Sequence, residues 1–224
     1  MKKLQHYIFI FFLCSSCLLS CALAQEQQHI SKLELGKKKK KTFNSRDSSI
    51  VVYIDSLIMK DKSSLQFYGK KEVKLVVKYA EIGKKAYISG IGAQNNASNF
   101  QIDMHLAKLG SLYIIASGLD ANNGSKTFPN GNGGKVLFEY RSSGIQPQSS
   151  NKKAAHYLAI DVSEGGRTAT PIADMQRIHS QIAMAAPGLR GLPQGQIYAG
   201  SPGEEGKVTI RVKPINNSYS EVPD

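Results

Sequence analysis

The chain has no tryptophan, 17 acidic residues against 29 basic ones, and three cysteines that all lie before residue 22. Each shortage removes something. Without cysteine after Cys21, everything downstream must hold together without disulfides, although exported proteins commonly use them. A thiol nucleophile and a Cys-based metal site are excluded there as well. Stability has to come from apolar packing and backbone pairing. Helical periodicity is nearly missing. The exception is Ile172 to Ala185, where Ile172, Met175, Ile178 and Ile182 recur between Pro171 and Pro187-Gly188, a helix with a start and a stop. Long hydrophobic runs are confined to Leu4–Leu19, broken by Gln5, His6 and two serines. That is short of the roughly 20 residues a membrane-crossing helix needs.

What is present at the N-terminus is an export pattern. Lys2 and Lys3 precede the apolar stretch, small residues follow it, and Gln25-Glu26-Gln27-Gln28 is polar at once. A charged start, a short apolar core and small residues form a secretory signal peptide, expected over residues 1–20. Leu18-Leu19-Ser20-Cys21 resembles the lipobox of bacterial lipoproteins. The resemblance implies that Cys21 becomes the first residue, carries lipid, and holds the protein on a membrane of the cell envelope. An outer-membrane lipoprotein facing the periplasm or the surface is the expected location. The alternative is cleavage after Ala22-Leu23-Ala24, which would give a secreted chain.

The excess of 12 positive charges, or 10 without Lys2 and Lys3, favours acidic partners. For an exported protein these are anionic lipid headgroups or acidic glycan, with another envelope protein as a further partner, and not nucleic acid. The densest patch is Lys37, Lys38, Lys39, Lys40 and Lys41. Residues 21–48 are expected to be a lipidated tether in which this run presses on anionic headgroups or keeps the linker soluble.

From residue 49 to 215 the pattern is that of short strands. Ile50–Ile54, Val73–Val77, Gly110–Ile115, Lys135–Tyr140, Tyr157–Ile160 and Lys207–Val212 are rich in β-branched and aromatic residues and bounded by Gly, Asn, Ser or Asp. A weak repeat runs through them. Tyr79-Ala80-Glu81-Ile82-Gly83 aligns with Leu106-Ala107-Lys108-Leu109-Gly110, and Ser56-Leu57-Ile58-Met59 is a looser copy. Repeats of this length with short strands predict stacked coils. The expected fold is all-β, a small right-handed parallel β-helix or β-solenoid with one short helix, with a β-sandwich as the alternative. Residues 216–224 read as a flexible tail.

Two segments, Asp120–Gly134 and Gly188–Gly195, are dense in Gly, with Asn throughout the first. They resemble the strand and Gly/Asn-loop units of secreted Bacteroidetes proteins, which implies an envelope or extracellular role. Within the first, Asp120, Asn122, Asn130 and Asn132 form a candidate ligand loop. Their oxygens would suit Ca²⁺, while Asn and Gly also serve turns by tolerating positive φ.

No cofactor is expected. His29, His105, His156 and His179 have no metal spacing, and no Gly-x-Ser-x-Gly elbow is present. An enzyme acting on acidic polysaccharide, lyase or hydrolase, is the alternative to a non-catalytic structural, adhesive or glycan- or protein-binding role. Asp161, Asp174, Arg167, Arg177 and Arg190 are its clustered candidates. Asp55-Ser56-Leu57 also fits the acceptor pattern for bacterial O-glycosylation.

Overall fold

Strands whose residues alternate apolar and polar bury one face, and parallel neighbours in register stack those buried faces into columns. The structure, a computed structural model, describes residues 26–123, 127–166, 176, 179 and 202–214. Its strands are β1 (Glu26–Leu35), β2 (Lys40–Phe43), β3 (Ser49–Met59), β4 (Ser64–Tyr68), β5 (Glu72–Ile82), β6 (Ala86–Ile91), β7 (Asn99–Leu109), β8 (Ser111–Ile115), β9 (Asn122–Asn123), β10 (Thr127–Phe128), β11 (Lys135–Arg141), β12 (Tyr157–Asp161) and β13 (Lys207–Lys213). One parallel sheet has the order β1-β3-β5-β7-β11-β13 and the other β2-β4-β6-β8-β12, while β9 and β10 pair antiparallel on their own.

The chain therefore crosses from one sheet to the other and back, and each pass lays one layer on the last. This is a β-solenoid. All six segments expected as strands are strands, and the parallel pairing excludes the antiparallel sandwich.

The register explains the repeat. Ser56–Met59 lies beside Tyr79–Ile82 residue for residue, and Glu81-Ile82 lies beside Lys108-Leu109. Each long strand also turns a corner. Between inward Val77 and Ala80 come two outward residues, Lys78 and Tyr79. The next strand has only His105 between Met104 and Leu106, and the register shifts there.

The interior is a set of apolar columns. Val52, Leu75, Ile102 and Phe138 stack in one, all fully buried. Phe43 and Phe67 stack in another with ring centroids 5.1 Å apart, and Phe67 meets Phe100 edge-on at 5.8 Å. Burying one such side chain contributes about 1.5–3 kcal/mol, which lets the fold dispense with disulfides.

The expected tether is a correction. Residues 26–43 are not a linker but β1 and β2, the first layer. In β1 only Ile30, Leu33 and Leu35 are apolar at inward positions, with Glu26 and Gln28 taking the others. An end layer has one neighbour to satisfy, so its pattern is diluted. The strand is held by backbone pairing to β3 in spite of it.

The signal segment 1–20, Cys21, Ala22–Ala24 and the tail 216–224 lie outside the described residues. So does the expected helix Ile172–Ala185, apart from Gln176 and His179, which are helical.

Candidate functional site

The turns joining the two sheets at one edge stack as strictly as the strands. Gly36–Lys39, Lys60–Ser63 and Gly83–Lys85 occupy equivalent positions, because Lys40 pairs with Ser64 and Ser64 with Tyr87. Backbone bonds tie the turns together. Lys38 N donates to Asp61 O at 3.0 Å, and Lys62 N to Lys84 O at 2.9 Å. Two columns result, Lys37–Asp61–Lys84 and Lys38–Lys62–Lys85. All six residues are exposed, as are Lys39 and Lys60. Asp61 is turned to the backbone, accepting Lys84 N at 2.7 Å through Oδ1. The expected five-lysine run is thus split. Lys37–Lys39 join the turn edge, Lys40 opens β2, and Lys41 lies 5.6 Å from the Phe43 ring centroid.

Sequence reading missed Lys60, Lys62, Lys84 and Lys85. The available signal was spacing. Lys38, Lys62 and Lys85 recur at the same intervals as the strands, and all three have positive φ, of 60°, 60° and 55°.

A second surface lies where chain returns to the first sheet. A groove of about 470 Å³ is lined by Lys71, Asn96, Asn99, Asn132, Lys135 and Lys207, among others. Asn side chains tie its layers together. Asn132 N donates to Asn96 Oδ1 at 2.9 Å, Glu204 N to Asn132 Oδ1 at 2.9 Å, and Lys135 N to Asn99 Oδ1 at 2.8 Å.

Of the candidate ligand loop, Asn132 alone lines this groove. Asp120 Oδ1 accepts Gly166 N at 2.6 Å, and Asn130, buried, accepts Ala121 N at 2.7 Å. Asn122 pairs through its backbone with Phe128. The Asp120 and Asn130 oxygens tie loops together. Among the described residues no group of three or more His, Cys, Asp or Glu could hold a metal ion.

Of the candidate catalytic residues, Asp161 alone is among the described residues. Asp161 accepts Ser163 N at 3.0 Å and Ser163 Oγ at 2.7 Å, which is turn chemistry. Arg167, Asp174, Arg177 and Arg190 lie outside the described residues.

A carboxylate pair that the sequence did not announce is Asp103 and Glu139, neighbours on β7 and β11. Lys213 bridges them, 2.7 Å from Asp103 and 2.9 Å from Glu139. Paired with both carboxylates, Lys213 acts as a staple holding β13 on the sheet. Burial pulls the Lys213 ammonium down. Hydrogen bonds donated to Asp103 and then to Glu139 outweigh it and set the group above its ordinary 10.5. A raised folded value means the contribution is complete below the ordinary value and is lost as pH rises through the folded one. Wild-type protein should lose stability to denaturant more steeply than Lys213→Met does as pH rises above 10.5. Equal slopes would remove the staple role.

No protein-family profile, curated protein or solved structure matches the chain. The class is therefore defined by geometry alone, a parallel β-solenoid with a basic turn edge.

Proposed function

We propose that this protein is a lipoprotein of the cell envelope whose solenoid acts as a non-catalytic binding scaffold for acidic partners. The reading is carried by the turn edge, where lysines from three successive layers face solvent side by side. The lipobox at Leu18–Cys21 supports the anchor. With the first layer beginning at Glu26, few residues separate Cys21 from the fold. The scaffold would then sit close to its membrane rather than on a long leash. Acidic envelope glycan and another envelope protein are the partners considered, and no cofactor is invoked.

The test is the intact mass of protein recovered from membranes, beside a Cys21→Ala control. A chain starting at Cys21 with acyl mass, absent in the control, is the expected result. A plain chain starting at Gln25 in the medium would replace the anchored lipoprotein by a secreted protein.

A further inference from the structure

We propose that the basic turn edge is the seat of a linear acidic polysaccharide laid along the solenoid axis, a ligand assignment that rests on the scaffold function above. Three observations carry it. The first is backbone strain. Lys38, Lys62 and Lys85 all sit at positive φ in the left-handed region. Glycine and asparagine occupy that region with less penalty, yet lysine stands at all three stacked positions. Strain repeated in register points to a side chain kept for what it does.

The second is electrostatic. Parallel strands lie about 4.8 Å apart, so lysines of successive layers are neighbours in a column. Like charges at that spacing repel one another until an anion of matching extent lies over them. The third is shape. The strip is narrow. On the first sheet, Glu34 and Glu81 border it, and Glu34 lies 3.6 Å from Lys32 and 4.0 Å from Lys60. On the second sheet the residues beside it are Lys40, Ser64 and Tyr87. A broad membrane surface would meet those carboxylates, whereas one chain of carboxylated sugars running along the Lys38–Lys62–Lys85 column meets lysine in every layer, with Asp61 in the neighbouring column held through Oδ1 by Lys84 N.

The experiment uses full-length protein in detergent, with polygalacturonate as probe, dextran as a neutral polymer, and vesicles containing phosphatidylglycerol as a planar anionic surface. Binding to polygalacturonate but not dextran is expected, weakening steeply with salt. The triple variant Lys38→Asn, Lys62→Asn, Lys85→Asn should bind about a hundredfold more weakly. Its slope of log affinity against log salt should fall by about two to three. Asparagine suits the backbone there, so its thermal midpoint should be unchanged or raised. If the triple variant does not fold, Lys62→Asn alone should weaken binding about fivefold.

Removing the same charge from the groove, with Lys71→Asn, Lys135→Asn and Lys207→Asn, should weaken binding by less than about threefold if those lysines lie off the seat. Equal losses in the two triples would overturn the assignment, because net charge alone would then set binding. Capture by vesicles with polygalacturonate ignored would overturn it in favour of a membrane face. Neither outcome depends on lipidation of Cys21, so failure of the anchor and failure of the seat remain separate results.

Discussion

Lys70→Met is expected to destabilise the protein by about 3–5 kcal/mol, the range for stranding one partner of a buried ion pair. Lys70 lies in the turn between β4 and β5 and is fully buried. Its ammonium donates to Asp47 O at 2.6 Å, Ser45 O at 3.1 Å, Glu26 Oε2 at 3.2 Å, and the Ser45 hydroxyl. Those partners belong to β1 and to the segment between β2 and β3, so one cation adds a side-chain tie to the backbone pairing that joins the first layer to the second. Methionine fills much of the same volume and leaves two carbonyl oxygens without this donor. It also removes the only cation among the described residues paired with the Glu26 carboxylate, which keeps the Ser45 hydroxyl and the Gln28 amide. Glu26→Gln, which keeps a polar group, should cost less. In the double variant much of the Lys70 penalty should return, because no unmatched carboxylate remains. Denaturation of the four proteins in urea measures the coupling. Additive losses would show that the two side chains do not act as a pair.

The same contact sets an acid limit. The Ser45 hydroxyl, more than Gln28 and Lys70, holds the Glu26 carboxyl below its ordinary 4.5 against the opposing effect of burial. A depressed folded value gives stability that is present above the ordinary value and lost as pH falls through the folded one. The first layer is therefore the part expected to loosen below about pH 4.5.

How far the sequence disclosed this fold depends on the layer. The β3, β5 and β7 layers carry apolar residues at nearly every inward position, so alternation and repeat were both legible. The first layer was not. Its inward side mixes Glu26 and Gln28 with Ile30, Leu33 and Leu35, and the lysines after it look like linker. Leu33-Glu34-Leu35-Gly36 is nevertheless the earliest copy of the repeat, pairing with Leu57 to Met59. It went unread because polar pairs at an end layer hide the period.

The site was legible in part. The five-lysine run marked the basic edge, but a run is local, while the edge is built from turns far apart in sequence. The staple of Asp103, Glu139 and Lys213 joins residues 110 positions apart at its widest, beyond any local pattern. The Gly/Asn loops were noticed for composition, and positive φ was the physical reason first considered. Among the described glycines only Gly69 and Gly166 have it. Gly118, Gly131, Gly133, Gly165, Gly203 and Gly206 answer to a different demand, which is close approach of backbone to backbone.

That demand is greatest at Gly131, and Gly131→Ala should be among the most damaging single-methyl additions to the chain. Extended segments cross beside it and bond in sequence. Leu119 N donates to Asn95 O, Gly131 N to Leu119 O, and Gly165 N to Gly131 O, each at 2.8 Å, and Gly203 N to Gly165 O at 3.1 Å. A Cβ on Gly131 would overlap the carbonyl of Asn95. Added carbons on Gly118 or Gly203 would overlap the Gly131 carbonyl in turn. The obstacles are backbone atoms, so no side chain can rotate away. Relief requires several of these bonds to lengthen together. A loss of about 3 kcal/mol is expected, at the upper end of overpacking.

Two other glycines calibrate it. Gly69 has φ of 71° and open space around its added carbon, so Gly69→Ala should cost only the left-handed backbone penalty, about 1 kcal/mol. At Gly36 the nearest atom is the Lys39 side chain at 3.4 Å, an ordinary contact, so Gly36→Ala should be near neutral. Urea denaturation should rank the three as Gly131, then Gly69, then Gly36. If Gly131→Ala were as mild as Gly36→Ala, the segments would not be packed backbone against backbone. The glycines would then owe their place to turn conformation after all.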